Sequence, residues 1–533
     1  MTGGPSGPAS AEVALEGVEV KGVTSRPALA VGVLLALVLL KLVLHLVTNA
    51  TTPYEFHRDE FLYFAMGDHL RLWRMDFPPF IAIVSRLWRW AFGDSLFAIR
   101  LVPALAGTSL VLLAGLIARE LGGRRAAQGI AALAVLANVL NLRSASLFQP
   151  VVLDQVWWTL ALYALVRLGR EERPRWWVLL GLAGGLGLLT KFSILFLGLA
   201  VLLALLATPL RRSLLTRWPY VALAIALLIG SPSITGQVAL GWPVVEQLDV
   251  LRRVQLERVT PPQFLLAQAM MFGPAVLLAA AGLVALLALG AMRAFRAAGW
   301  ACAFSFAVLM LTHGKPYYIG PAYPALFAAG GVVLERLGPR RSGAVVRWSL
   351  ATAMLAFGVF ALPFGLPILP PERMSAFVQR TGVTAALRNN RGELERLPQD
   401  YGDMLGWKKV TGAVAAVYDS LPPGKRAQVV VFGANYGEAG ALAFYGPRYG
   451  LPPAVSDAGS FWFFGPGERA GQVVLCYGCD CRGLRRYFRT VTDVREFDDP
   501  WMVGEERHRH ICVGEGPLRT IQELWPGLAG HTG

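Results

Sequence analysis

Two acidic positions in this sequence have surroundings that suit a carboxylate to proton transfer. Asp59 and Glu60 are followed at once by the apolar and aromatic run Phe-Leu-Tyr63-Phe. Asp154 lies inside a second apolar run. Partial desolvation makes a carboxylate a stronger base, which can accept the proton of an attacking hydroxyl group. Asp59, Glu60 and Asp154 are therefore candidate catalytic residues.

Each acidic position also has a plainer interpretation. Asp59 and its acidic neighbour could be a solvated pair at a helix end, with Arg58 as their local partner. Asp154 could be an interfacial acid whose hydrogen bonds come from Gln149 or Gln155. An ionised aspartate inside a membrane span costs a few kcal/mol, which favours a residue that faces a polar cavity. The sequence leaves both alternatives open.

Two isolated lysines stand next to aromatic residues. Lys191 precedes a phenylalanine, and Lys315 is followed by Pro-Tyr317-Tyr318. An ammonium group at the edge of a membrane can hold a lipid phosphate. The plainer alternatives are that these lysines extend to lipid headgroups and that the tyrosines belong to an interfacial aromatic belt.

A double proline interrupts the same region as the first acidic pair. The segment Asp76-Phe77-Pro78-Pro79 must be extended, because proline restricts both itself and the residue before it. Such a segment can hold a nearby polar group in place, or it can simply separate two short helices.

The composition indicates which structural elements hold these residues in place. Of 533 residues, 55% are hydrophobic and 16% are charged, whereas soluble proteins carry about a quarter charged residues. Before about Pro370 the charges stand in short clusters between long apolar runs, which predicts an integral membrane protein with about eleven helices. The predicted spans are 28–48, 96–118, 126–142, 151–168, 176–190, 192–210, 217–235, 264–291, 298–312, 318–335 and 348–368.

The net charge of +15 is distributed in a pattern that indicates topology. Clusters of arginine occupy every second loop, and the intervening short loops hold one basic residue each, Arg143, Lys191 and Lys315. Alternation of this kind places the arginine-rich loops inside. It argues against a nucleic-acid partner, which would need basic and aromatic residues interleaved on one solvated surface. We therefore expect a multi-pass protein of the plasma (inner) membrane.

The chain divides into three predicted parts. Residues 1–27 form a disordered cytoplasmic tail, and 28–368 form a transmembrane catalytic domain whose external loop, 50–95, contains short interfacial helices. Residues 369–533 form a soluble extracytoplasmic α/β domain, with strand-like runs at 428–432 and 472–477. The Gly433-Ala-Asn-Tyr-Gly437-Glu-Ala-Gly440 segment lacks dinucleotide-binding spacing, and we interpret its glycines as a tight turn.

Four of the five cysteines lie in the predicted external domain. Cys476, Cys479, Cys481 and Cys512 could form two disulfides, which an oxidising compartment favours. A tetrahedral zinc site is the alternative. Cys302 lies in a predicted span, where we expect an inert thiol.

The order of these features resembles a known family. An external Asp59-Glu60, a Pro-Pro loop, a Gln-Pro before Asp154, a Thr-Lys191-Phe turn and a Lys315-Pro-Tyr-Tyr motif occur in sequence. This order resembles the glycosyltransferase family 39 group of the GT-C superfamily, which includes protein O-mannosyltransferases and lipid A aminoarabinose transferases. The resemblance covers about residues 29–368.

The resemblance implies transfer of a sugar from a polyprenyl-phosphate donor to a hydroxyl acceptor on the extracytoplasmic face. Asp59 matches the family's catalytic carboxylate, Glu60 is its neighbour, and Asp154 matches a second acidic position near the substrate cavity. The leaving phosphate needs cations, for which the arginines of 252–258 are also candidates. The expected donor- or substrate-binding residues are Arg58, Tyr63, Lys191, Lys315, Tyr317 and Tyr318.

Phe77 departs from the family pattern. Aminoarabinose transferases have a basic residue directly before the Pro-Pro, and here Phe77 stands in that position. This difference puts lipid A as acceptor in doubt. The phosphate ligand must then come from elsewhere. The resemblance implies no certain cofactor beyond the lipid-linked sugar, assigns no metal ligands and leaves a divalent metal possible.

Two other classes of function compete with a transferase. A transporter or flippase of lipid-linked sugars would show repeated halves or broken helices near the midplane, and the sequence shows no internal repeat. A non-catalytic envelope scaffold would use the external domain as a binding module, but it leaves Asp59 and Asp154 without a role.

Overall fold

The computed structural model describes residues 26–338 and 341–528. The predicted cytoplasmic tail lies outside these residues except for its last two positions. The helices of the N-terminal part are α1 (Val31–Thr51), α2 (Arg58–Asp68), α3 (Phe80–Phe92), α4 (Leu96–Glu120), α5 (Arg125–Leu136), α6 (Val139–Ser144), α7 (Pro150–Arg170), α8 (Pro174–Thr190), α9 (Ile194–Leu206), α10 (Trp218–Ala239), α11 (Pro243–Val254), α12 (Pro261–Phe272), α13 (Ala275–Ala288), α14 (Arg296–Leu311), α15 (Tyr323–Arg336) and α16 (Arg341–Gly365).

Small residues let these helices approach one another closely. A Cβ atom added to Gly181 would lie 2.5 Å from the carbonyl oxygen of Ala222, where α8 packs on α10. A Cβ atom added to Gly282 or Gly330 would lie 2.0 Å from a carbonyl oxygen of the facing helix, where α13 packs on α15. Helices in lipid gain little from the hydrophobic effect, so close backbone packing stabilises the bundle.

Fewer helices can cross a membrane than the eleven predicted. Among the described residues, seven helices are long and apolar enough, or up to nine if each bent pair counts as one span. The expected break at Thr190-Lys191 is present, because α8 ends at Thr190 and α9 begins at Ile194. The number eleven is therefore not confirmed.

Two predicted spans are bent rather than straight. Segment 192–210 becomes α9 and the short helix Pro209–Leu215, at an angle of 102°. Segment 264–291 becomes α12 and α13, at 113°. Each bend occurs at a proline, which has no backbone N–H to donate, and Gly273 adopts a positive φ of 53° at the second bend.

The C-terminal part continues with α17 (Pro371–Thr381), α18 (Gln399–Gly402), α19 (Trp407–Ser420), α20 (Pro423–Arg426), β1 (Val429–Gly433), α21 (Tyr436–Tyr445), β2 (Ala454–Val455), α22 (Ser460–Phe464), β3 (Val473–Tyr477), β4 (Phe488–Phe497), β5 (Arg509–Pro517) and α23 (Ile521–Leu524). The strands form one sheet in the order β2-β1-β3-β5-β4. Strands β2, β1 and β3 are parallel, and β5 runs antiparallel to β3 and β4.

The strands β1 and β3 agree with the runs predicted at 428–432 and 472–477. Both are apolar and almost fully buried, as expected of parallel strands covered on both faces. The predicted α/β character is therefore visible in this region.

Helix α21 packs directly on α2 of the first external loop. A Cβ added to Gly440 would lie 2.7 Å from the Cβ of Phe61, and one added to Gly437 would lie 3.1 Å from the Cβ of Arg58. Neither glycine has a positive φ, and neither does Gly433. Our interpretation of this motif as a tight turn was wrong, because the two helical glycines are needed for close contact between helices.

Aromatic side chains fill the contact between these two helices. Phe61 lies 5.7 Å from Phe444 and 6.0 Å from Trp407 between ring centroids, and Phe64 lies 5.1 Å from Phe444. Phe61 and Trp407 are completely buried. The C-terminal region is thus joined to the first external loop by an apolar core.

The four cysteines of the C-terminal region form the predicted two disulfides. Cys476 pairs with Cys479, and Cys481 pairs with Cys512 across 31 residues of sequence. Cys302 is buried and unpaired.

We expect the Cys481–Cys512 disulfide to contribute most to stability, because it closes the longer loop. Replacing both cysteines with alanine should lower the free energy of unfolding by about 2–4 kcal/mol. Thermal unfolding of the purified protein measures the loss. The matched control replaces Cys476 and Cys479, whose disulfide closes a much shorter loop, and equal losses in the two variants would contradict this expectation.

Candidate active site

One large cavity lies where the helical bundle meets the C-terminal region. Its volume is about 770 Å³. It is bounded by the start of α2, the turn after α8, the helix α11, the turn 312–322 and several C-terminal segments. The predicted site residues that line it are Arg58, Asp59, Tyr63, Lys191, Lys315, Tyr317 and Tyr318.

Asp59 presents its carboxylate to this cavity. The side chain retains 30% exposure. Its Oδ2 accepts a hydrogen bond from Nε2 of Gln149 at 3.0 Å, and its Oδ1 accepts one from the hydroxyl of Tyr436 at 2.8 Å. An oriented carboxylate that still reaches an open cavity can act as a general base.

The first turn of α2 determines where Asp59 points. The Nδ1 atom of His57 accepts a hydrogen bond from the backbone N–H of Asp59 at 3.1 Å, and the carboxylate of Glu60 accepts one from the backbone N–H of His57 at 2.7 Å. This reciprocal capping satisfies donors that a helix N-terminus otherwise leaves without partners.

Glu60 does not line the cavity. Its side chain is fully buried and pairs with Arg100, whose Nη2 lies 2.7 Å from Oε2. The backbone N–H of Phe148 donates to Oε1 at 2.8 Å. Both carboxylate oxygens of Glu60 are engaged inside the protein, so Glu60 cannot contact a substrate in the cavity. Its contacts hold α2 in place.

Asp154 lies behind the cavity surface rather than on it. It is 3% exposed, and its Oδ2 accepts a hydrogen bond from the hydroxyl of Ser193 at 2.7 Å. Neither glutamine proposed as its partner bonds to it, since Gln149 donates to Asp59 and Gln155 accepts from Ser144. Asp154 interacts electrostatically with Lys191, so it can balance that cation from within the bundle.

Lys191 lies beside a pair of tyrosine rings, and Lys315 is close enough to interact with it electrostatically. The ammonium of Lys191 lies 4.2 Å from the ring centroid of Tyr318 and 5.3 Å from that of Tyr317. Burial lowers the pKa of Lys315, and the carboxylates of Asp59 and Asp400 oppose this effect. In the described part of the chain, neither lysine forms an ion pair with a carboxylate, so both can bind an anion in the cavity.

Tyr63 also lies on the cavity surface, one turn after Asp59. Burial raises the pKa of its phenol. Its hydroxyl therefore remains protonated and can donate a hydrogen bond to a polar ligand.

Arg58 is engaged by the C-terminal region. Its guanidinium pairs with Glu505 and lies 3.7 Å from Asp403 and 3.8 Å from Glu506. Its Nε donates to the hydroxyl of Tyr436 at 3.1 Å. With several acidic partners in place, Arg58 is a poorer candidate for binding phosphate than the two lysines.

The Pro-Pro segment joins the first external loop to the C-terminal region. The carboxylate of Asp76 is 1% exposed and accepts a hydrogen bond from the hydroxyl of Ser460 at 2.7 Å. Burial raises the pKa of Asp76 to about 6. Phe77 and Pro78 form part of the cavity surface, so the segment holds a polar group and also shapes the site.

Helix α11 places an apolar face over the cavity. Val244, Leu248, Leu251 and Val254 are among its lining residues. The arginines considered as phosphate ligands point elsewhere: Arg252 pairs with Glu257, Arg253 pairs with Asp249, and Arg258 donates to the carbonyl oxygen of Arg391. None of the three lines the cavity.

One cluster beside the site has the residue types of a metal centre. Nε2 of His57 lies 3.5 Å from Asp403 and 3.8 Å from Asp400. Arg143 donates to Asp400 at 2.8 Å, and Arg58 stands near Asp403. Two arginines already balance these carboxylates, so the geometry favours an ion-pair network over a bound cation.

Sequence reasoning missed three groups of site residues. Tyr436 belongs to the glycine-rich motif, whose spacing gave no sign of contact with Asp59. Ser193 lies two residues after Lys191 and carried no signal of its own. Asp400 and Asp403 belong to the C-terminal region, and only folding brings them to the cavity.

Comparisons with known proteins bear on the fold of the chain. A family model described as dolichyl-phosphate-mannose-protein mannosyltransferase matches residues 76–235. ArnT from Cupriavidus metallidurans bound to undecaprenyl phosphate has a TM-score of 0.58 at 17% identity, over 90% of this chain and 98% of that chain. Its apo form has a TM-score of 0.61 at 18% identity, over 91% and 98%. No curated protein matches the chain in sequence.

These comparisons confirm the resemblance to the GT-C glycosyltransferases. The fold match spans both the helical bundle and the C-terminal region, because it covers nine-tenths of the chain. The chain is a multi-pass membrane protein with a GT-C fold.

We expect Glu60→Gln to destabilise the protein, because it leaves Arg100 buried without a charged partner. The free energy of unfolding should fall by about 3–5 kcal/mol, which thermal unfolding in detergent measures. A double variant, Glu60→Leu with Arg100→Met, removes both charges and should recover part of the loss. An unchanged unfolding temperature for Glu60→Gln would show that the pair does not hold α2.

Proposed function

We propose that this protein is a membrane glycosyltransferase. It moves a sugar from a polyprenyl-phosphate donor to a hydroxyl acceptor on the extracytoplasmic face, with Asp59 as the general base. The observation that carries this proposal is that one cavity contains both an accessible carboxylate and two lysines that form no ion pair within the described part of the chain.

The reaction needs a base on one side of the anomeric carbon and an anion site on the other. The acceptor oxygen attacks the anomeric carbon, its proton passes to Asp59, and the bond from that carbon to the phosphate oxygen breaks. The lipid phosphate leaves with the electron pair of that bond. Lys191 and Lys315 stabilise the growing negative charge on the phosphate, and this kind of stabilisation is often the largest contribution to catalysis.

The apolar part of the cavity suits the lipid of the donor. Leu195 and Phe196 of α9 line it together with Leu248 and Leu251 of α11. Leu195 and Phe196 follow Lys191 closely in sequence, so a lipid chain can lie against these apolar side chains while its phosphate meets the ammonium groups. ArnT bound to undecaprenyl phosphate, which shares this fold, supports a polyprenyl phosphate as the lipid.

The acceptor meets polar residues of the C-terminal region in the same cavity. Asn390 and Gln399 line it together with Asp59. Their side-chain amides can hydrogen-bond to a sugar, a peptide or a lipid headgroup, and so hold an acceptor hydroxyl near Asp59.

Two features support the extracytoplasmic face. The short arginine-rich loops at 119–125 and 167–175 lie at the ends of the helices away from Asp59, in agreement with the positive-inside pattern. The C-terminal region carries two disulfides, and disulfides persist outside the reducing cytosol.

We expect Asp59→Asn to lower the rate of sugar transfer by about 10²–10⁴, because the amide cannot accept the acceptor's proton. The assay follows labelled sugar from a polyprenyl-phosphate donor into acceptors in membranes. Asp68→Asn is the matched control, since Asp68 stands at the other end of α2 and is 57% exposed. Equal transfer by wild type and Asp59→Asn would remove Asp59 as the base, and labelled lipid that crosses the bilayer unconsumed would indicate a transporter.

We expect Lys191→Met and Lys315→Met to weaken binding of undecaprenyl phosphate. Loss of a hydrogen bond between charged groups costs about 1.5–3 kcal/mol, so each affinity should fall about tenfold or more. The thermal shift on adding undecaprenyl phosphate measures this without knowledge of the sugar. Lys425→Met is the control, because Lys425 pairs with Glu515 at the exposed surface. Unchanged affinity in both test variants would place the phosphate elsewhere.

A further inference from the structure

The residue that contacts Asp59 most closely belongs to the C-terminal region. The hydroxyl of Tyr436 lies 2.8 Å from Oδ1 of Asp59, although 377 residues separate the two in sequence. Tyr436 lines the cavity together with Asp59. A side chain from the soluble part of the chain therefore reaches the proposed base inside the site.

The direction of each hydrogen bond in this group follows from its chemistry. The Nε of Arg58 can only donate, so the oxygen of Tyr436, 3.1 Å away, accepts that hydrogen. The phenolic hydrogen is then free to be donated to Asp59. Burial raises the pKa of Tyr436, so the hydroxyl keeps this proton. The side-chain amide of Gln149 donates to the other oxygen of Asp59.

The start of α21 is built to hold Tyr436 in this position. Asn435 caps the helix, and its Oδ1 accepts hydrogen bonds at 2.9 Å from the backbone N–H groups of Gly437 and Glu438. The side-chain amide of Asn435 donates to buried Glu506 at 2.9 Å. Tyr436 is the first residue of the capped helix, so its backbone is fixed by β1 on one side and by α21 on the other.

The neighbouring glycines bring that helix close enough for the contact. Any side chain at Gly437 or Gly440 would meet Arg58 or Phe61 of α2. A larger residue at either position would push α21 away from α2, and the hydroxyl of Tyr436 would leave hydrogen-bonding distance.

We propose that Tyr436 is a positioning residue for the catalytic base, and that the C-terminal region is thereby part of the catalytic unit. This inference rests on the proposed function, in which Asp59 accepts the acceptor's proton. Tyr436 and Gln149 each bind one carboxylate oxygen and so fix the plane of the group. The lone pairs that remain are directed to the cavity, where the acceptor hydroxyl must lie.

The test is Tyr436→Phe in the full-length protein, with transfer from a labelled polyprenyl-phosphate sugar measured over a range of donor concentrations. We expect kcat to fall about tenfold or more while the KM for the donor stays the same, because the donor phosphate lies at the lysines. Tyr449→Phe, at an exposed tyrosine of the same region, is the control.

A double variant separates positioning from an effect on folding. If Tyr436 acts only through Asp59, adding Tyr436→Phe to Asp59→Asn should lower the remaining activity no further. Thermal unfolding and undecaprenyl phosphate binding establish that Tyr436→Phe is folded. A fall in activity that merely follows a loss of folded protein, or additive losses in the double variant, would overturn the inference.

The outcomes also distinguish this inference from the proposed function. A wild-type protein that transfers sugar, together with a Tyr436→Phe variant of unchanged kcat, overturns the inference and leaves the function intact. A wild-type protein that releases no polyprenyl phosphate from any donor overturns the function itself.

Discussion

The buried ion pair between Glu60 and Arg100 fixes the element on which the site depends. Both side chains are fully buried, and Glu60 also accepts hydrogen bonds from two backbone N–H groups. An unpaired charge at this depth would cost several kcal/mol, so the start of α2 has one stable position. Successive helical residues project about 100° apart. Burial of Glu60 therefore turns its neighbour Asp59 toward the cavity.

Around that fixed helix the cavity combines groups from both parts of the chain. Lys191 and Lys315 line it among apolar residues, and so do carboxylates of the C-terminal region that arginines balance. The C-terminal region is thus more than a cover, because it supplies polar lining residues and the hydroxyl that contacts Asp59.

Much of the fold was predictable, because it leaves local signals in the sequence. A helix in lipid must form all its backbone hydrogen bonds internally and span the thickness of the bilayer. Apolar length and loop charge therefore reveal it. The break after Thr190 was found from loop charge, and the strands β1 and β3 were found from their short strand-like runs. The bends at Pro209 and Gly273 were missed. The apolar composition continues through each bend, although the helix is interrupted there.

The sequence by itself determined that acids, lysines and tyrosines stand at one end of a helical bundle, because topology follows from hydropathy and charge. It could not rank the acids, since Asp59, Glu60 and Asp154 have similar neighbours along the chain. Only the tertiary structure decided among them, through partners that are distant in sequence. Arg100 buries Glu60, Ser193 holds Asp154 beneath the surface, and Tyr436 directs Asp59 into the cavity. Burial and contacts with residues distant in sequence are properties of three-dimensional packing. The local sequence does not contain that information.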